Sequence, residues 1–223
     1  MSRPRSPHAD PPSSSGPTLG YILLGLVLSG AAGLIDEIAW IRRSSLVFGS
    51  TTHALSTVLM VFFLGLAIGG AVSGRLSERV RRPLLVCALL EVALAILVVL
   101  TPLAFDMVEG LYGGLYRSLP AGSPLLWGAR AGLIAILLLP PTLLMGATLP
   151  LFARQFVRTA DRIGFSIAGL YALNTLGAAL GCALAGFGLL PAIGVRGSLW
   201  AAAALNLIAA AIMVSARAAA VEP

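Results

Sequence analysis

The sequence has no lysine and little charge of either sign. All 15 basic residues are arginines, set against 9 acidic residues, and charged residues make up only 11% of the 223-residue chain. Soluble domains carry about 25% charge, so this composition excludes an ordinary soluble protein. A hydrophobic content of 58% and a mean hydropathy of +0.94 instead indicate an integral membrane protein.

Residue types that carry catalytic or metal chemistry are also scarce. The 2 cysteines, Cys87 and Cys182, fall in apolar runs, where small buried side chains are typical. Neither a metal-ligand spacing nor a nucleophile–base pair or nucleotide loop is recognisable. We therefore predict no metal, no cofactor and no enzymatic activity. Nucleic acid is excluded as a partner, because no soluble basic domain is present to bind it.

Long apolar runs fill most of the chain. A membrane-spanning helix needs about 20 apolar residues, and six such runs predict an all-α integral membrane domain over 19–217. The predicted spans are 19–41, 54–74, 84–105, 128–150, 167–190 and 198–216.

The remaining segments are short. Residues 1–18, rich in proline and serine, are predicted to be disordered, and 218–223 to form a tail. Apolar residues and tyrosines at helical spacing over 106–122 predict an amphipathic helix on the outer surface, with a plain loop as the alternative.

The arginines predict the orientation in the membrane. Ten lie in segments on the side of both termini and five on the other side, the latter being Arg42, Arg43, Arg117, Arg130 and Arg196. Arginine accumulates in cytoplasmic loops, so both termini are predicted to be cytoplasmic.

The second and fifth predicted helices share a pattern of small residues. Gly65, Gly69 and Gly74 recur as Gly177, Gly181 and Gly186, at one offset of 112 residues. The predicted topology runs these two helices in opposite directions, which favours a 3+3 inverted repeat. Small residues at this spacing also serve close helix packing alone, which is the simpler interpretation.

Several motifs, in order, carry a family resemblance. They are S-G-x-x-G-L-x-x-E-x-x-W-x-R at 29–42, G-S-T-T at 49–52, P-T-L-L-M-G-A-T-L-P at 141–150, Y-A-L-N-T-L-G-A at 171–178 and G-F-G-L-L-P at 186–191. Together they resemble the membrane domain of bacterial fused MFS/spermidine synthase proteins, over nearly all of 19–217.

That resemblance implies a bacterial cytoplasmic (inner) membrane and six helices similar to half of a major facilitator fold. In that family an aminopropyltransferase-like domain usually follows the sixth helix. This chain ends at Pro223, so we expect any such activity to reside in a separate polypeptide.

Acidic residues inside the apolar runs are the candidate binding groups. Asp36 and Glu37 are adjacent, and we predict that Asp36 pairs with Arg43 while Glu37 faces the bundle. The family has an aromatic residue at the position of Asp36. Glu91 stands alone in an apolar run, so it is either protonated or paired with another helix.

Other polar residues complete the hypothetical substrate site. Trp40 belongs to the motif of the first helix, and Asn174 shares a face with small residues in the fifth. An amide there can also simply bond a neighbouring helix. Asn206 carries the same signal more weakly. The candidate substrate-binding set is Glu37, Glu91, Asp36, Trp40 and Asn174, with Arg42 and Arg43 as ion-pairing residues.

Two further features complete the set of candidate residues. The loop around Glu78 and Arg79 resembles a charge latch of major facilitator transporters, in which Glu78 would pair with an arginine of 154–162. A positive-inside loop with one acid is the alternative. Pro140 and Pro141 predict a break in the fourth helix, with Thr142 placed to satisfy the freed carbonyls.

Two functions fit these residues. The first is a transporter or binder of polyamines or other organic cations, completed by a homodimer. The second is a membrane scaffold or anchor for a separate cytoplasmic aminopropyltransferase-like enzyme.

Overall fold

The described part of the chain is built from helices. The computed structural model describes residues 15–49, 52–120, 123–159 and 167–219. Six helices are formed there: α1 (Ser15–Phe48), α2 (Thr52–Ser77), α3 (Pro83–Ser118), α4 (Pro124–Thr159), α5 (Ile167–Leu184) and α6 (Leu190–Ala219). A π-helical turn, Ala185–Leu189, joins α5 to α6.

All helices except α5 begin and end outside the predicted spans. α1 starts at Ser15, within the segment predicted to be disordered, and residues 1–14 and 220–223 lie outside the described part. The predicted spans counted only apolar residues. Helical hydrogen bonding instead continues into the polar ends, where a helix leaves the hydrocarbon.

Five helical segments are long and apolar enough to cross a membrane. They are Leu19–Phe48, Leu55–Ser77, Pro83–Ser118, Pro124–Phe156 and Ile167–Arg217. The predicted number of six is not confirmed, because α5, the π-helical turn and α6 follow one another without a gap and form a single run of 51 residues.

That last run contains a sharp bend at Gly194. Its backbone angles are φ 70° and ψ −174°, a conformation that only glycine adopts at low cost. On one side of the bend, Gly181 approaches the carbonyl of Ala31. On the other side, a Cβ added to Gly25 would lie 3.6 Å from Cε of Met213. Both sides of the bend therefore pack against the same half of α1, so the chain turns back near Gly194.

The outer segment predicted as a separate surface helix is the C-terminal part of α3. No helix-ending residue interrupts α3 before Ser118, and Pro102 lies inside it. Tyr112 is buried and meets the ring of Phe48 edge-on at 4.8 Å. Contact with the end of α1 therefore holds this segment upright, which corrects the prediction for 106–122.

The predicted break in α4 is also wrong. The helix continues through Pro140, Pro141 and Pro150, because its packing against α2 and α3 offsets the hydrogen bonds that the prolines remove. Thr142 Oγ1 donates to the carbonyls of Leu138 (2.7 Å) and Leu139 (3.1 Å). Pro140 and Pro141 leave the carbonyls four positions before them, at residues 136 and 137, without a helical donor. Thr142 therefore does not satisfy them.

The helices pack in a fixed order. The main contacts are α2 on α4, α4 on α3, α3 on α6, α6 on α1 and α1 on α5. If α1, α2 and α3 are exchanged with α4, α5 and α6, respectively, the same five pairs of helices are in contact. The close approaches agree: Gly69 of α2 meets the carbonyl of Leu143, and Gly181 of α5 meets that of Ala31. Both members of the first pair differ by 112 positions from their counterparts in the second.

The bundle has two main apolar clusters, one at each end. The near cluster lies where α1 begins and includes Ile22, Cys87, Phe152, Leu170 and Met213. The far cluster lies where α1 ends and includes Trp40, Phe48, Phe105, Ile134 and Leu199. We call these two ends of the bundle the near side and the far side.

Candidate functional site

A polar layer separates the near cluster from the far cluster. We define it by Asp36 of α1, Glu91 of α3 and Asn206 of α6, each with 0% of its surface exposed. These are the three helices that pack as α1 on α6 and α6 on α3. Three polar groups that are distant in the sequence thus lie within one buried region.

Neighbours on α3 fix the depth of Glu91. One turn before it, Cys87 and Ala88 belong to the near cluster. One turn after it, Leu94 and Ala95 belong to the far cluster. Glu91 therefore occupies the boundary between the two clusters.

Asn206 has the same position on α6. Ala209 and Ala210 follow it in the near cluster, and Ala203 precedes it in the far cluster. The spacing of three and four residues puts all of them on one helix face. Asn206 is the polar member of an otherwise apolar buried stripe, at the depth of Glu91.

Asp36 and Glu91 lie close enough for their carboxyl groups to interact electrostatically. Within the part of the chain that the structure describes, neither oxygen of Asp36 nor of Glu91 has a hydrogen-bond partner. Both amide atoms of Asn206 are equally unpartnered among those residues. Six side-chain oxygen and nitrogen atoms are thus buried without partners in one layer.

Burying these atoms without partners destabilises the fold unless a bound group supplies the missing hydrogen bonds or charge. A buried charge without a partner destabilises a fold by several kcal/mol, and buried polar atoms in native proteins are nearly always hydrogen-bonded. Carboxylates only accept hydrogen bonds, whereas an amide both donates and accepts. Two acids and one amide therefore lack a positively charged donor, so the chemistry that fits is binding of a proton or a small cationic group.

Ser29 links this layer to a groove on the surface of the bundle. Its hydroxyl approaches the carboxyl of Glu91, although the two groups do not meet the full distance and angle requirements of a hydrogen bond. Ser29 also lines a groove of about 490 Å³ between α1, α2, α4 and α5. Asn174 and Tyr171 line the same groove, which is otherwise mostly apolar.

Glu37 lies on another face of α1 from Asp36. It is 5% exposed and shares its face with Gly30 and Gly33, which line the groove. The residues lining the groove do not include Glu37 itself. The structure thus separates the two adjacent acids, and it is Asp36, not Glu37, whose carboxyl group interacts electrostatically with that of Glu91.

Trp40 belongs to the far cluster and closes the polar layer on that side. It is fully buried, one turn beyond Asp36, and its Nε1 donates to Thr101 Oγ1 at 3.4 Å. This contact joins α1 to α3 on the far side of the two acids. Trp40 is placed to shield the layer from the far side, which differs from the predicted substrate contact.

The predicted pair between Asp36 and Arg43 is not formed. Arg43 binds Asp106, and it also binds Glu109 at 3.0 Å; Arg196 approaches Asp106 at 3.6 Å. The acids on α3 are about half exposed, so pairing them requires less desolvation than bringing an arginine to the buried Asp36. The four charged groups form a far-side ionic cluster across α1, α3 and α6.

Among the side chains that the structure describes, the other arginines predicted to form ion pairs do not contact a carboxylate in the same way as Arg43. Arg42 is exposed, next to the paired Arg43. On the near side, Arg154 Nη2 donates to the backbone carbonyl of Glu78 at 2.6 Å. An arginine of the predicted segment thus reaches Glu78 through its backbone, not its carboxylate. Arg79 is exposed, and Arg162 lies outside the described residues.

The residues alone did not single out the polar layer as a unit. The sequence draws attention to Asp36 and Glu91 as charges in apolar runs, but Asn206 looks like an isolated amide. Their meeting depends on the order in which the helices pack, which no local spacing encodes. Comparisons with protein-family models, curated proteins and solved structures find no match for this chain.

Proposed function

We propose that this protein is a multi-pass membrane protein that binds a cationic group at Asp36 and Glu91 and carries it across the membrane. The observation that supports the proposal is the pair of buried carboxyl groups, electrostatically coupled and without hydrogen-bond partners in the described residues, inside an apolar bundle. Ionisable residues within membrane spans commonly belong to substrate or ion pathways.

The proposal includes six membrane crossings. A straight run of 51 residues would be about 77 Å long, more than twice the roughly 30 Å of a hydrocarbon core. The bend at Gly194 supports two crossings instead of one. The shared offset of the glycine contacts supports a 3+3 inverted repeat similar to half of a major facilitator fold, with both termini cytoplasmic in a bacterial inner membrane. A homodimer would then complete a transport path.

Organic amines are the substrate class that the groove favours. Its mostly apolar lining suits a chain of methylene groups, and Ser29 lies where the groove approaches Glu91. A polyamine places ammonium groups on such a chain. The resemblance to membrane domains of spermidine synthase proteins suggests the same class.

A scaffold is the second candidate. The groove lining stops at Ser29 and includes neither Asp36 nor Glu91. On the near side, the exposed Arg79 and Arg82 offer a docking surface for a separate cytoplasmic enzyme of aminopropyltransferase type. In that case the acids would only hold the helices together.

Uptake of radiolabelled spermidine into proteoliposomes tests the proposal. Wild type is compared with Asp36→Asn and Glu91→Gln, each near-isosteric with the acid that it replaces. We expect either change to lower uptake about tenfold or more, because it removes one charge of the pair. Glu78→Gln, in the exposed loop, is the matched control and keeps wild-type uptake.

Two results would contradict the proposal. Wild-type uptake by both layer variants would exclude the carboxyl pair as the binding site. No uptake by any form, in vesicles where a control transporter is active, would favour the scaffold.

A further inference from the structure

A second groove lies on the near-side half of the bundle, between α2, α3 and α4. It has a volume of about 480 Å³ and an almost wholly apolar lining. Ile68, Val72 and Leu76 of α2 line it and are 43–50% exposed. Gly69 and Ser73 line it as well, where the backbone of α2 packs closely against α4 and closes the floor of the groove.

The length of this groove matches one leaflet of a bilayer. From Ile68 to Ser77 it follows nine residue steps of α2, which is about 14 Å at 1.5 Å per residue. Half of a hydrocarbon core of about 30 Å is nearly the same depth. The groove therefore has the dimensions for an acyl chain that extends from one membrane surface towards the midplane.

Its near-side end is basic. The lining continues through Ser77 to Val80, in the loop that also carries the exposed Arg79 and Arg82. The hydrogen bond from Arg154 to the carbonyl of Glu78 fixes this loop against the end of α4. The arginines are thus held at the membrane surface, where the groove opens.

From this geometry we infer that the groove binds one anionic phospholipid, with an acyl chain in the groove that α2, α3 and α4 border and its headgroup at Arg79 and Arg82. Basic residues at the end of a groove between membrane helices recognise acidic headgroups. Charge complementarity separates this groove from a third one of about 590 Å³. That groove is also mostly apolar, but the charged residues of α3 next to its lining in the sequence, Asp106 and Glu109, are acids and already pair with Arg43.

Lipid retention measured by native mass spectrometry tests the inference. Full-length protein is released from nanodiscs that contain equal amounts of phosphatidylglycerol and phosphatidylcholine. We expect wild type to retain phosphatidylglycerol preferentially. Arg79→Gln/Arg82→Gln removes two headgroup contacts, and we expect it to lower that preference about tenfold. Arg42→Gln/Arg117→Gln, on the far side, is the matched charge control and keeps the wild-type preference.

A second variant tests the groove independently of charge. Val72→Trp fills the groove and leaves the arginines in place, so retention of phosphatidylglycerol should fall severalfold. Ile136→Trp, in the third groove, is the matched control and keeps retention unchanged. Both variants change exposed positions, and a melting temperature in detergent checks that they fold.

Several outcomes would overturn the inference. Equal retention of the two lipids by wild type would remove its basis, as would an unchanged preference in Arg79→Gln/Arg82→Gln. Displacement of the lipid by soluble glycerol phosphate would reduce the site to a simple anion contact. Dissociation of a dimer by Val72→Trp, with lipid retention unchanged, would assign the groove to a second copy of the chain.

Discussion

Asp36 and Glu91 oppose the stability of the bundle that contains them. Each is fully buried, and their oxygens lack partners within the described helices. Residues that reduce stability persist where function needs them. A cation between the two carboxyl groups would compensate for their burial. Without one, the layer is a weak point between two well-packed apolar clusters.

The first prediction follows from that cost. Glu91→Gln keeps the size of the side chain and removes its charge, so we expect the variant to be more stable than wild type by about 1–3 kcal/mol in cation-free detergent. Thermal unfolding, followed by circular dichroism, measures the difference. Glu78→Gln, on the surface, should stay within about 0.5 kcal/mol of wild type. A less stable Glu91→Gln would show that the carboxyl group makes a stabilising contact.

The site was predictable only as separate residues. A charge in an apolar run is visible in the sequence, so Asp36 and Glu91 were identified. The neighbours of each side chain could not be predicted, because they depend on which helices pack against the two faces of α1 that carry Asp36 and Glu37. Arg43 shows the same limit: its partners, Asp106 and Glu109, are more than 60 positions away, and a local pair looked equally good.

At the scale of elements, the unbroken run from α5 to α6 is the feature least visible in the sequence. The sequence predicted two helices separated at 191–197, and the structure bends at Gly194 inside that interval. All six predicted apolar runs fall within helical residues of the structure, since apolar runs determine where a helix can meet lipid. The ends of the helices were not predicted, because packing extends α3 to Ser118 and keeps α4 helical through its prolines.

The second prediction concerns this bend. In a background with Cys87→Ser and Cys182→Ser, we introduce Ile193→Cys, at an exposed position next to Gly194. If α5 and α6 cross the membrane separately, a membrane-impermeant maleimide reaches this cysteine only from the far side. Arg79→Cys, in the near-side loop, is the matched control and is labelled only from the opposite side. Labelling of both cysteines from the same side would exclude a turn at the far surface.

At the scale of the whole molecule, the helices of the two halves make equivalent contacts. α2 packs on α4 as α5 packs on α1, and α3 meets α6 between them. The small residues explain why: each glycine contact brings a helix backbone against a carbonyl of its neighbour, which larger side chains would prevent. We call the α2–α4 and α5–α1 interfaces the two seams. They hold α2 and α5 at the outside of the bundle, whereas the polar layer lies on α1, α3 and α6.

Equivalent seams should respond equally to the same change, which is the third prediction. A Cβ at Gly69 would collide with the carbonyl of Leu143, and one at Gly181 with that of Ala31. Backbone atoms cannot move aside cheaply, so we expect Gly69→Ala and Gly181→Ala each to destabilise the bundle by about 1–3 kcal/mol. Gly110→Ala, in α3 with open space around it, should be neutral or more stable by up to about 1 kcal/mol, because alanine favours a helix.

The double variant Gly69→Ala/Gly181→Ala tests whether the two seams contribute independently to the stability of the bundle. The two glycines lie on different helices and contact different partners, so their effects on the free energy of unfolding should add to within about 0.5 kcal/mol. Urea or thermal unfolding of both single variants and the double variant measures this. A large effect at Gly69 with none at Gly181 would contradict equivalent seams. Strong non-additivity would mean instead that both glycines act on one shared contact, which the separate partners Leu143 and Ala31 make physically difficult.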